Sequence, residues 1–183
     1  MNKLIITAHP SRAGFTHRIA EKITTLSRAK WETVEILDLY NTDLKQDFLR
    51  FEDPKKMGED PVTKKIQEKI LAADELVFIF PIWWWDAPAI MKNFIDSNFH
   101  TGFAFRYENG ESVGLLKGKT ARIIATSGGP AFFYKIFLHI QILWSLNRIW
   151  FCGIKQKSFT VFGKMSDEKT DKEAYLKAVE KLI

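Results

Sequence analysis

The chain alternates short β-branched and aliphatic runs with stretches in which apolar positions return every third or fourth place. Lys3 to Ala8 is the first such run, and it breaks at His9-Pro10. Ser11 to Gly14 carries turn chemistry, after which Ile19, Ile23 and Leu26 share one helical face. Thr33 to Leu39 alternates as a second strand. Asn41 to Pro61 is polar, contains Pro54 and Gly58, and predicts a long loop with room for one helical turn; loops of that length in a small domain are usually functional or mobile. Val62, Ile66 and Ile70 then space a helix over Val62 to Ala72. Glu75 to Phe80 is nearly all apolar, as a strand covered on both faces should be. Pro88 to Ser97 reads as helix, Ala121 to Thr126 as a fourth strand, and Phe132 to about Leu146 as helix again. Lys157 to Phe162 alternates as a fifth strand. Ser166 is the expected cap of a last helix, with Asp167 and Glu168 in its first turn and Tyr175, Val179 and Leu182 facing inward.

Strands alternating with helices predict an α/β fold, a doubly wound five-stranded parallel sheet with helices on both faces. Right-handed crossovers leave few topologies, the strand order 2-1-3-4-5 among them. Ligands of such sheets bind beyond the carboxyl ends of the strands, so the residues after strands one, three and four should carry the chemistry.

Length and composition narrow the picture. At 183 residues there is room for one domain, 1–183. Aromatic residues make up 14%, with 15 Phe and 6 Trp; a surplus gathered at one point would suit a planar ligand. Lys and Arg exceed Asp and Glu by 27 − 22 = 5, but they are scattered, which favours a mildly basic surface over nucleic-acid binding. Such a surface also attracts a polyanionic dinucleotide. The sole cysteine, Cys152, lies in the apolar stretch Trp150 to Ile154 and reads as an inert buried thiol. No metal site is expected. Met1 to Thr7 lacks the pattern of a signal peptide and no apolar run reaches bilayer length, so a cytoplasmic protein without membrane insertion is expected.

Three loops stand out. His9-Pro10-Ser11-Arg12-Ala13-Gly14-Phe15-Thr16-His17 opens a helix, where free backbone N–H groups suit a phosphate; capping of that helix by Ser11 or Thr16 is the plainer alternative. Pro81-Ile82-Trp83-Trp84-Trp85 cannot place all its indoles in one core, because successive side chains diverge, so at least one should face the cleft. Thr126-Ser127-Gly128-Gly129 offers hydroxyls and amides to a polar ring edge, and its glycines permit close approach.

Taken in order with Ala72 to Val77, Pro88 to Lys92, Gly102 to Phe105 and Phe151 to Gly153, these segments resemble the flavodoxin-like NAD(P)H:quinone oxidoreductases, the DT-diaphorase group with its shorter bacterial relatives. The resemblance implies a flavodoxin-like fold with a flavin across the three loops. FMN is favoured because the chain stops soon after one carboxyl-terminal helix, with FAD left open. His9, Phe15 and Thr16 would hold the phosphate side, with His17 as helper. Pro81, Ile82, Trp83, Trp84 and Trp85 would line the isoalloxazine, and Thr126, Ser127, Gly128 and Gly129 its pyrimidine end. NAD(P)H would give hydride to the flavin and leave, and a quinone would take its place in the same pocket. Tyr134 matches a family tyrosine that stabilises charge on the reduced ring. The family's histidine partner falls at Ile140, while His139 is one residue off, about a hundred degrees around a helix; that leaves Tyr134 as the catalytic candidate. Phe105 and Tyr107 resemble aromatics that reach over the substrate pocket, often across a homodimer interface, with surface packing as the alternative. An electron carrier of the flavodoxin type, a regulatory flavoprotein subunit of a potassium-efflux transporter, and an azoreductase-like activity fit the same resemblance.

Overall fold

The computed structural model describes residues 1–52, 60–137 and 148–183. Strands β1 (Asn2–Thr7), β2 (Thr33–Asp38), β3 (Glu75–Pro81), β6 (Thr120–Thr126) and β7 (Lys155–Phe162) form one parallel sheet in the order β2-β1-β3-β6-β7. This is the expected 2-1-3-4-5 order once β4 (Phe105–Glu108) and β5 (Glu111–Gly114), a separate antiparallel hairpin, are set aside.

Side-chain alternation assigns each helix to a face. Leu4 and Ile6 of β1, Leu76, Phe78 and Phe80 of β3, and Ile123 of β6 pack with Ile66 and Ile70 of α2 (Pro61–Ala72) and Met91 and Phe94 of α3 (Ala89–Asn98). The intervening residues Ile5, Val77, Ile79 and Ile124 face the other way, onto Ile19 and Ile23 of α1 (Phe15–Ala29) and Val179 of α5 (Lys172–Glu180). Every residue of β3 is buried. Deleting one of its large side chains would cost about 3–5 kcal/mol, as for a buried Phe. Helix α4 (Ala131–Phe137) follows β6.

The structure corrects several local expectations. The last helix starts at Lys172, capped by Asp171, whose carboxylate accepts from the Ala174 amide at 2.9 Å. Ser166, Asp167 and Glu168 precede it in a turn, because Asp171 offers the cap directly ahead of the apolar face. Neither Ser11 nor Thr16 caps α1, whose N-cap is Gly14. The hairpin was unforeseen; Asn109 and Gly110 form its turn at φ 52° and 84°, the positive values that two-residue hairpins need. Of the helix expected over Phe132 to Leu146, the part after Phe137 lies outside the described residues, as do His139 and Ile140.

One polar cluster interrupts the core. Glu75, fully buried at the amino end of β3, accepts from Arg122 Nε at 2.9 Å and Lys157 Nζ at 3.0 Å, and lies 3.6 Å from Lys3 Nζ. Lys3 also pairs with Glu32 and donates to Ser27 Oγ at 2.9 Å. Glu75 therefore ties β1, β3, β6 and β7 in register. Glu75→Ala would leave these cations without their shared anion, so urea denaturation should show a loss of about 3–5 kcal/mol. A loss under about 1 kcal/mol, the range of an exposed pair, would show the cluster to be dispensable.

Candidate active site

The carboxyl ends of β1, β3, β6 and β7 open into one cleft of about 440 Å³, within the range of small-molecule sites. His9, Phe15 and Thr16 line it from the first loop and α1, Pro81, Ile82 and Trp83 from the second loop, and Thr126, Ser127 and Gly128 from the third. A fourth wall, which the sequence reading missed, comes from the segment after β7 and comprises Met165, Ser166 and Lys172. The rule that ligands sit beyond strand ends applied to the fifth strand as well, and the break at Gly163 was its signal.

The first loop leaves the amino terminus of α1 open to the cleft. Gly14 caps α1 without a side-chain hydrogen bond, and the first turn of the helix carries no acid. Among the described residues the amides of Phe15 and Thr16 have no partner, so the positive end of the helix dipole is open. Thr16 is 1% exposed, lines the cleft, and its Oγ1 has no hydrogen-bond partner. A buried hydroxyl of that kind normally finds an acceptor or donor. No carboxylate lines the cleft, whereas His9 and Lys172 do. His17 sits behind this wall, its Nε2 3.0 Å from Asp38 Oδ2 and its ring 6.3 Å from that of His9.

The tryptophans diverge as the sequence required. Trp83 and Asp86 exchange backbone hydrogen bonds at 2.9 and 3.0 Å, which forces Trp84 and Trp85 to φ 50° and 66°. That left-handed geometry costs roughly 1–2 kcal/mol per residue in an L-amino acid. The turn sends Trp83 to the cleft and leaves Trp84 98% exposed. Trp85 packs on Tyr134, ring centroids 5.2 Å apart. Neither Trp84 nor Trp85 lines the cleft, and the amides of both are unpaired among the described residues.

The third loop is pinned to the fourth. Ser127 N donates to Phe162 O, Met165 N to Ser127 O and Lys164 N to Gly129 O, at 2.9, 2.9 and 2.8 Å. A Cβ on Gly128 would stand 3.0 Å from Ser166 Oγ, and one on Gly129 3.2 Å from the Tyr134 hydroxyl. Gly129 thus makes room for Tyr134 and is not among the residues that line the cleft. Phe105 and Tyr107 do not line the cleft; Phe105 packs on Phe151 at 4.9 Å and on Tyr107 at 5.7 Å.

The comparisons agree with this architecture. The chain belongs to the flavodoxin-like fold family, whose family model matches residues 1–183. It is 35% identical over 184 residues, 94% of this chain and 89% of the relative, to an uncharacterized NAD(P)H oxidoreductase of Haemophilus influenzae. It is 30% identical to NAD(P)H dehydrogenase [quinone] 1 of Cavia porcellus over 83% of this chain and 64% of that one, so it spans under two thirds of that longer protein. Among solved structures, an NAD(P)H:quinone oxidoreductase of Methanothermobacter marburgensis superposes with a TM-score of 0.85 at 23% identity, over 99% of this chain and 94% of its own. The resemblance drawn from the motifs is borne out.

The cysteine stands apart from this chemistry. Burial pushes the Cys152 thiol up to about 11, where almost none is thiolate at neutral pH. The native protein should therefore resist a disulfide reagent at pH 8 and react fully once unfolded in urea. Rapid stoichiometric labelling of the native protein would contradict the burial.

Proposed function

We propose that the protein is a flavin-dependent NAD(P)H oxidoreductase acting on quinone-like acceptors, with FMN held in the cleft. The observation that carries this is the cleft's polarity: an anion seat at α1, an apolar floor at Ile82 and Trp83, and a glycine turn opposite. The names of the Haemophilus influenzae and Cavia porcellus relatives support the donor and the acceptor. A fold neighbour from Bacillus anthracis, an FMN-dependent NADH-azoreductase, was solved in complex with FMN.

The residues present fit such a group. Thr16 Oγ1, the α1 amides, His9 and Lys172 would meet the phosphate, and Phe15, Ile82, Trp83 and Met165 would cover the ring. When bound, a flavin supplies two-electron hydride chemistry that no side chain can provide. The chain contributes position: Gly128 leaves space, and the loop bonds hold Ser127 and Thr126 in place. Tyr134 packs on Trp85 and is not among the residues that line the cleft; its hydroxyl would be the group that meets charge developing on the reduced ring.

Purified protein should bind FMN at micromolar concentration and oxidise NADH or NADPH with a simple benzoquinone. Thr16→Val should weaken FMN binding about tenfold, as loss of one hydrogen bond to a charged group does. Failure of wild-type protein to bind either FMN or FAD at that concentration would end this assignment.

We also propose that the protein is a homodimer. Tyr107 is 64% and Trp150 66% exposed, and both belong to the aromatic group around Phe105 and Phe151. A second copy seated there would remove that surface from water. Light scattering at micromolar concentration should give twice the chain mass, and Tyr107→Asp should shift it toward the monomer. A monomer at all concentrations would refute the dimer.

A further inference from the structure

We propose that Gly14 is a positioning residue for His9: having no Cβ, it lets the His9 ring fold back on its own turn and present Nε2 to the ligand's phosphate. The proposal rests on the flavin assignment above and extends it to a residue outside the cleft's lining.

The glycine is not there for its backbone. Gly14 has φ −67° and ψ 151°, an extended geometry open to any residue. It is also an N-cap, where Ser, Thr, Asp or Asn would stabilise the helix at least as well. What forbids them is space. A Cβ at Gly14 would lie 2.6 Å from both Cε1 and Nδ1 of His9 and 2.9 Å from the Ser11 carbonyl oxygen. Those same atoms hold the turn: His9 Nδ1 is 3.1 Å from the Ser11 amide and 2.9 Å from the Ser11 carbonyl, and the Gly14 amide donates to that carbonyl at 3.0 Å. Wherever its proton sits, Nδ1 is engaged with Ser11, so Nε2 is the nitrogen left for a ligand.

The ring is half-exposed and is the part that would yield to a side chain at position 14. His17 stands edge-on at 6.3 Å and Trp83 at 6.5 Å between centroids, and His9 already lines the cleft. A side chain at position 14 would push the imidazole out of this enclosure and break its bonds to Ser11. Thr16 Oγ1, buried and unpartnered two residues further on, marks the ligand that both groups address.

The test uses FMN and riboflavin, which share the ring system and differ in the phosphate, titrated by flavin fluorescence against wild type, Gly14→Ala, His9→Ala and the double variant. Each single variant should lower affinity for FMN relative to riboflavin about tenfold, the loss expected for a charge-assisted hydrogen bond. The double variant should show the FMN-to-riboflavin ratio of His9→Ala alone, because Gly14 acts on the phosphate through His9; the 2.9 Å approach of the alanine Cβ to the Ser11 carbonyl would weaken both flavins alike. Equal losses for both flavins in Gly14→Ala, or a further fall in the FMN-to-riboflavin ratio from Gly14→Ala when His9 is already Ala, would overturn the proposal. If Gly14→Ala alone does not fold, folding of the double variant would itself support a clash with the ring. An unchanged FMN-to-riboflavin ratio in His9→Ala would overturn the proposal without it. If wild type binds FMN but these ratios fail, only the role of Gly14 falls; if wild type binds neither flavin, the cofactor assignment falls first.

Discussion

A central parallel strand walled on both faces has no place for a polar side chain except at its ends, and β3 obeys that constraint throughout. Its interior, Leu76 to Phe80, supplies alternate residues to two separate cores. Its amino end carries Glu75, met by cations from three other strands of the sheet. Its carboxyl end runs into Ile82 and Trp83, where the chain first meets a ligand-sized space. Stability and chemistry are thereby separated by the length of one strand. The end that locks the register is the one farthest from the end that binds.

The binding end is assembled from weak pieces that reinforce each other. No single loop supplies a complete site: the first provides an uncapped helix terminus, the second an aromatic turn, the third and fourth a pair of glycine-bearing segments bonded together. Parallel topology brings them to one edge, since every strand enters the sheet from the same side. The electrostatic balance follows the same division. The open amino terminus of α1 and Lys172 face a cleft that no carboxylate lines, so an elongated ligand with one anionic end would have a favoured direction.

Much of this was legible in the sequence because burial writes a period into the chain. The five sheet strands, the helices and the three principal loops could be read from apolar spacing and from the breaks at His9, Pro81 and Gly128. What escaped depended on competition between neighbours. Ser166 and Asp171 are both good caps, and spacing alone did not say which would be nearer the apolar face of α5. The Asn109-Gly110 turn was a plain hairpin signal, but strands of four residues, largely exposed, leave hardly any alternation to notice. The sequence grouped Trp84 and Trp85 with Trp83 through the resemblance but did not give their directions. The turn through Trp83 and Asp86 rotates one into solvent and the other onto Tyr134. Gly14 gave no sign at all, since its reason is a contact with a ring five residues earlier.

The contact between the third and fourth loops also bears on how this scaffold can change over evolutionary time. A Cβ at Gly163 would fall 2.3 Å from the Ala131 amide nitrogen and 2.8 Å from the Gly129 carbonyl oxygen, so the two segments cross with no slack. Insertions or deletions between Gly163 and Met165 would shear both loops at once and are expected to be purged. The Asn109-Gly110 turn carries no such burden, and lengthening it would leave the sheet untouched. Variation in size among descendants of this chain should therefore accumulate at the hairpin, while the crossing at Gly163 keeps a fixed length.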